Sequence, residues 1–173
     1  MTDWQTIVSR HSEAVWRTAY RLLGNEAEAA DCFQETFVSA LGVSRREPVR
    51  NWSALLQRVA TTRAMDRLRS RLRDASRQGH LADWSTVPSP NPGPVQEAEA
   101  AELSGRLRRA LADLPDGQAE IFCLRCLNQL SYRQIARQVG TSTAAVGISL
   151  YRTRRRLREL LTPPGGGSPE VSP

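Results

Sequence analysis

The sequence predicts an all-α chain: two small helical domains joined by a Pro-rich flexible linker, the second carrying a helix-turn-helix. Three observations predict it. Apolar residues recur at helical spacing along most of the 173 residues, and no stretch alternates as a half-buried strand would. The run VPSPNPGPV at 87–95 holds four prolines, a density that neither helix nor strand accepts. Finally, SYRQIARQVGTSTAAVGISLYRTRRRLRELL at 131–161 reads as a short helix, a tight turn and a long helix.

In chain order, Val15, Ala19, Leu22 and Leu23 suit one face of an amphipathic first helix. Asn25 caps a second, expected from 26 to about 41, with Gly42 and Pro48 marking a break. Trp52 begins a third, whose Leu55, Leu56, Val59, Ala60 and Leu68 face a core, with Arg63, Arg67, Arg69, Arg71 and Arg73 along its later turns. The Pro-rich stretch follows as an extended tether, and from His80 to Gly105 there is no arginine while Asp83, Glu97, Glu99 and Glu102 are acidic. Pro115 then separates a helix at 103–114 from one at 118–127.

Ser131 and Gln134 form an S-x-x-Q capping box for the next helix, with Ile135, Ala136 and Val139 on one face. Gly140-Thr141-Ser142 makes the turn, and Ser142 or Thr143 caps the last helix. Its apolar positions are Val146, Leu150, Leu157, Leu160 and Leu161, and Arg152, Arg154, Arg155, Arg156 and Arg158 crowd its later turns. The tail PPGGGSPEVSP cannot build a core and is expected to be disordered. The expected division is therefore a first domain at 1–78, a linker at 79–101, a second domain at 102–162 and a tail at 163–173.

A formal net charge of +6 and a pI near 10.2 favour a polyanionic partner. All 24 basic residues are arginine, a side chain suited to phosphate and guanine edges, although a GC-rich genome gives the same bias. No apolar run is long enough to span a membrane, and MTDWQTIVSRHSEAVW lacks the pattern of a secretory signal, so a cytoplasmic protein is expected. No cofactor or metal is expected: the only histidines are His11 and His80, and no phosphate-cradling glycine loop occurs, which also argues against an enzyme. Cys123-Leu124-Arg125-Cys126 has the C-x-x-C spacing of a redox or zinc pair, but both cysteines sit among core-type positions, where cysteine acts as a small hydrophobe.

A helix-turn-helix places its second helix in the DNA major groove and uses flanking cations on phosphates. Thr143, Ala144, Ala145, Gly147 and Ser149 are expected nearest the base edges, with Arg152 and Arg154 on phosphate. The arginine run also fits a solvated helix face or a protein contact.

With both halves read, the chain resembles the extracytoplasmic-function (ECF) class of RNA polymerase sigma factors. Asp31-Cys32-Phe33-Gln34-Glu35-Thr36-Phe37 matches that family's D-x-x-Q-[ED]-x-F pattern, LLQRVATTRAMDRLRSRLR at 55–73 resembles its promoter-melting segment, and ALADLP at 110–115 precedes the helix-turn-helix as in its second domain. The resemblance implies that Asp31, Gln34, Glu35 and Phe37 serve core RNA polymerase binding. It assigns Trp52, Thr62, Arg63, Asp66, Arg67, Arg69 and Arg71 to the −10 promoter region, and the recognition-helix residues above to the −35 region. The implied partners are core RNA polymerase, promoter DNA and an anti-sigma factor, without membrane insertion. Departures are Thr61 and Thr62 where the family usually has arginine and asparagine, and Gly147 and Ser149 where it has lysine and arginine. They keep a divergent sigma-like regulator open; a stand-alone helix-turn-helix regulator is the other alternative, against which the D-x-x-Q-E-x-F helix argues.

Overall fold

A computed structural model describes residues 2–79 and 94–162, and the described residues form seven helices and no strand. The order is α1 (Trp4–Leu23), α2 (Glu26–Ser44), α3 (Trp52–Gln78), α4 (Pro94–Ala112), α5 (Asp116–Cys126), α6 (Tyr132–Val139) and α7 (Thr143–Leu161). Among the described residues no helix is long and apolar enough to cross a membrane. The expected tail, and the linker between 80 and 93, lie outside the described residues.

Local chemistry sets most helix starts. The side chains of Asp3, Asn25, Asn51 and Ser142 each accept a backbone N–H from the first turn, at 3.0–3.2 Å, satisfying donors that the helix cannot. Ser131 and Gln134 form the reciprocal capping box, with bonds of 3.2 and 2.8 Å. Gly140 ends α6 at φ +70°, a left-handed conformation costly for a residue with a Cβ, and lets the chain turn into α7.

Two boundaries differ from expectation by more than two residues. α2 runs through Gly42 to Ser44, and α4 begins at Pro94, inside the expected linker. The cause at α4 is composition: Pro94 occupies the first helical position, where its missing N–H costs nothing, and the Ala/Glu-rich stretch that follows favours helix.

α1, α2 and α3 pack as a three-helix unit and α4–α7 as a second, but the two share a core. Leu22, Leu23, Cys32, Ala64, Met65 and Leu68 from the first half form one cluster with Ala110, Leu111, Leu114, Ala119, Cys123 and Leu157 from the second. Each fully buried leucine there contributes about 1.5–3 kcal/mol. A second cluster, Ile121, Leu124, Leu130, Ile135, Val146 and Leu150, holds the helix-turn-helix together. A third gathers Trp4, Phe33, Phe37 and Trp52 around Ile7, Val15, Ala40, Leu56 and Ala60.

Polar groups register the halves. Asn128 donates to the Thr18 hydroxyl at 2.8 Å and accepts from Thr61 at 3.5 Å. The Arg108 guanidinium, only 4% exposed, donates twice to the Arg21 carbonyl (3.2 and 3.1 Å) in the last turn of α1, where a helix concentrates negative partial charge. Burial, and the nearby Arg71, lower its pKa. Gly24, at φ +64°, leaves room for this contact: a Cβ there would lie 2.6 Å from the guanidinium carbon.

Candidate nucleic-acid interface

The outward face of α2 follows from its inward one. Ala29, Cys32, Thr36 and Ala40 are buried, while Phe33 and Phe37 flank them, 5.0 Å apart between ring centroids, with Phe33 edge-on to Trp16. That phase turns Asp31, Gln34 and Glu35 to solvent and holds Phe37 half-buried beside them. Val38, 68% exposed, extends the same face. Sequence reasoning missed it, although its i+3 spacing from Glu35 was the available signal.

α3 buries Leu56, Ala60, Thr61, Ala64, Met65 and Leu68 and exposes Thr62, Arg63 and Asp66. Three of the four arginines assigned to the −10 region are engaged by protein groups. Arg67 meets Glu35 at 2.5 Å and Asp31 at 3.8 Å, and the Glu35 bond raises its pKa. Arg69 pairs with Asp116 at 2.8 Å and donates to the Ala112 and Leu114 carbonyls, closing the end of α4. Arg71 binds Glu28 and the Leu23 carbonyl. Arg63 is exposed, with a bond to Ser39 at 3.1 Å. Trp52 is half-buried, edge-on to Trp4 at 5.0 Å, and belongs to the third core cluster.

The second half lies along this helix. Thr61, Thr62, Met65, Asp66 and Arg69 of α3 share a small cleft with Asp116 and Glu120 of α5, and Arg58 binds Glu120 at 2.8 Å and the Gln138 carbonyl. Thr61 is buried against Asn128, whereas Thr62 stays exposed. These two family-variant positions therefore face different surroundings.

In the helix-turn-helix, Ile135 of α6 packs with Val146 and Leu150 of α7, which fixes the second helix on the first. With Thr153 and Leu157 also buried, the opposite face of α7 carries Ala144, Ile148, Tyr151, Arg152 and Arg155, all exposed. Thr143 and Arg154 are exposed too, but Ala145, Gly147 and Ser149 are only partly accessible. Gly147 sits beneath Tyr132, where a Cβ would make ordinary contact at 3.6 Å, and Arg125 lies 5.5 Å over that same ring. Arg155 and Arg156 share Glu159, at 3.4 and 3.5 Å.

The two C-x-x-C cysteines part company. Cys123 is fully buried and its thiol is pushed up to about 12 by burial, whereas Cys126, at the end of α5, is exposed. Cys126 is thus not the core residue that its neighbours suggested, because the last turn of α5 carries it past the packed interface. Cys32, buried under α3, is pushed up to about 11, again by burial. Native-state iodoacetamide is expected to label Cys126 alone, and all three cysteines after denaturation. The Cys126 thiol is also raised, by partial desolvation, so its labelling rate should keep rising beyond the pH at which an ordinary thiol levels off. Native labelling of Cys123 or Cys32, read by peptide mass mapping, would contradict the packing.

Comparison with known proteins finds one family region on each helical unit. The sequence profile of sigma-70 region 2 matches residues 7–74, and that of sigma-70 region 4 matches residues 104–157. The ECF RNA polymerase sigma factor SigE of Mycolicibacterium smegmatis is 30% identical over 161 residues, covering 93% of this chain and 62% of that protein. The chain thus spans less than two thirds of that relative. SigW of Bacillus subtilis, another ECF sigma factor, is 28% identical over 163 residues, with 90% of this chain and 87% of SigW covered. Among solved structures, the sigma factor RpoE of Bartonella quintana, crystallised with the anti-sigma factor NepR, superposes with a TM-score of 0.61 at 21% identity. It covers 93% of this chain and 98% of RpoE, a likeness of fold. Region 2 on the first three-helix unit and region 4 on the helix-turn-helix unit, in that order on a chain similar over nine tenths of its length to SigE and SigW, place this protein in the ECF family of sigma factors.

Proposed function

We propose that the chain binds core RNA polymerase and gives it promoter specificity, α2 docking on the enzyme, α3 holding the −10 element and α7 reading the −35 element. The observation that carries this reading is one chain that joins an outward Asp31–Gln34–Glu35 face, on the family's docking pattern, to a capped helix-turn-helix. The matched regions support the working parts: residues 1–78 for polymerase and the −10 element, residues 102–162 for the −35 element. α4 extends the second part back to Pro94. On this reading the protein has no catalytic activity of its own, acts in the cytoplasm, and is a target for an anti-sigma factor, as RpoE is for NepR in their shared crystal.

Arg63, together with Arg67, Arg69 and Arg71 once they exchange their protein partners, supplies the proposed phosphate contacts, with Thr62 and Asp66 beside them. Freeing Arg69 requires the second half to move off α3, since its partners are Ala112, Leu114 and Asp116. Each phosphate neutralised steepens the salt dependence of promoter binding.

The test is co-purification of the tagged chain with bacterial core RNA polymerase, followed by transcription from a genomic promoter pool. Stable association with new, alignable start sites is the expected result. Association without transcripts would favour a divergent sigma-like regulator. No association, with no anti-sigma factor present, would favour a stand-alone DNA-binding regulator and overturn the proposal.

A further inference from the structure

The solvent face of α7 is unusual for so basic a helix, because its centre is apolar. Ile148 is 53% exposed and Tyr151 67% exposed, one turn apart and directly opposite the buried Val146, Leu150, Thr153 and Leu157. Ala144 precedes them on the same ridge, and Arg152 and Arg155 follow. Neither exposed side chain belongs to a core cluster that would explain it.

We infer that Ile148 and Tyr151 are the sequence-determining residues of this helix, and that they select thymine at two neighbouring base pairs through its 5-methyl group. This rests on the reading of α7 as the −35 helix and goes beyond it by naming the residues and the base.

Three considerations carry it. In the major groove only thymine presents a methyl group, and apolar side chains discriminate by packing on it, since they have no hydrogen bond to offer the other base edges. Ile148 has no polar atom, and the tyrosine ring presents an apolar edge with a hydroxyl at its far end. Spacing is compatible: three residues of helix rise about 4.5 Å, against roughly 3.4 Å between successive base pairs, so a helix lying along the groove brings the two side chains to neighbouring steps.

Charge identifies the occupant as DNA. Arg152, Arg154, Arg155, Arg156 and Arg158 follow the ridge along the later turns, with only Glu159 opposing them on this helix. Gly147 and Ser149, the positions that depart from the family pattern, lie to either side and are partly covered, so their loss of charge does not empty the reading face.

The test uses holoenzyme assembled from the full chain and bacterial core RNA polymerase. Active promoters are selected from a library randomised across the upstream element, and the winners are resynthesised with deoxyuridine replacing single thymidines, which removes only the methyl. Two adjacent thymine-bearing pairs are expected, each uracil substitution lowering transcription about fourfold, the effect of unburying one methyl-sized group. I148S should abolish sensitivity at one of these pairs and Y151S at the other. Both sites are exposed, so folding should be kept, as circular dichroism would show.

Uracil templates transcribed as well as thymine templates would overturn the inference. So would an I148S holoenzyme that selects the same element with the same methyl sensitivity. Variants that lose only polymerase or anti-sigma binding, with the selected element unchanged, would make the ridge a protein-docking surface and overturn it too. If the wild-type chain fails to bind core polymerase, the proposed function falls and this inference with it. If it binds and transcribes from promoters with no methyl dependence, only this inference falls.

Discussion

Replacing Leu114 with alanine is expected to destabilise both halves of the molecule together, although Leu114 belongs to the second. Leu114 is 4% exposed and sits in the cluster that also holds Leu22, Leu23 and Leu68 of α1 and α3. Truncating a buried leucine costs about 2–5 kcal/mol in lost transfer and cavity terms. For a chain of this size, each kcal/mol lowers Tm by about 2–4 °C, so a fall on the order of 5–20 °C follows. A shared core also makes one cooperative unit. Thermal unfolding should remain a single transition, and amide exchange should accelerate in α1 and α3 as well as in α4–α7. Leu150→Ala, in the cluster that α5, α6 and α7 keep among themselves, is the control, since its local exchange effect should centre on the helix-turn-helix. Two separate transitions, with Leu114→Ala moving only one, would show that the halves fold independently and that their contact adds little. The polar contacts predict the same coupling: Asn128 and Arg108 each bond across the boundary, so a loosened core also exposes their partners on α1.

What the sequence discloses about this fold is what depends on neighbours along the chain. Asn25, Ser131 and Ser142 mark helix starts because a cap needs only the next three residues. Val15, Ala19, Leu22 and Leu23 mark a face because helical period is local. The start of α4 was hidden because the Pro-rich run that precedes it ends in Pro94, a residue that both breaks and begins helices. The site was less legible for a different reason. Arg67, Arg69 and Arg71 read as solvent-facing cations, and nothing nearby in sequence announces Glu35, Asp116 or Glu28 as their partners. Arg108 reads as a surface residue, yet it is buried against the end of α1. Ile148 and Tyr151 could have been found. The core phase of α7, set by Val146, Leu150 and Leu157, leaves both out of step, and an apolar residue out of phase on a basic helix is the signal that was available.

Polymerase association should fall at least about 30-fold in the double variant Gln34→Ala/Glu35→Arg, with the fold retained. The two residues lie at the centre of the exposed α2 face, flanked by Asp31 and Val38. Placing like charges together at an interface costs several kcal/mol, and losing one member of a buried charge pair costs about 2–5 kcal/mol. With a tenfold change per 1.4 kcal/mol, even the low end gives that factor. Stability should change little, because exposed ion pairs contribute only about 0–1 kcal/mol. The Arg67–Glu35 contact offers a sharper comparison. If Glu35 serves only to hold Arg67 on the first half, Arg67→Ala and Glu35→Gln should weaken association alike. If Glu35 faces the polymerase, Arg67→Ala frees its carboxylate and should leave association unchanged or tighter, while Glu35→Gln weakens it. Pull-down of core enzyme at graded salt separates these cases, since a charge contact with the polymerase weakens as ionic strength rises. Wild-type recovery of polymerase by the double variant would remove α2 from the docking surface. Equal losses in Arg67→Ala and Glu35→Gln would leave Glu35 a positioning residue, with Gln34, Asp31 and Val38 remaining as the contact.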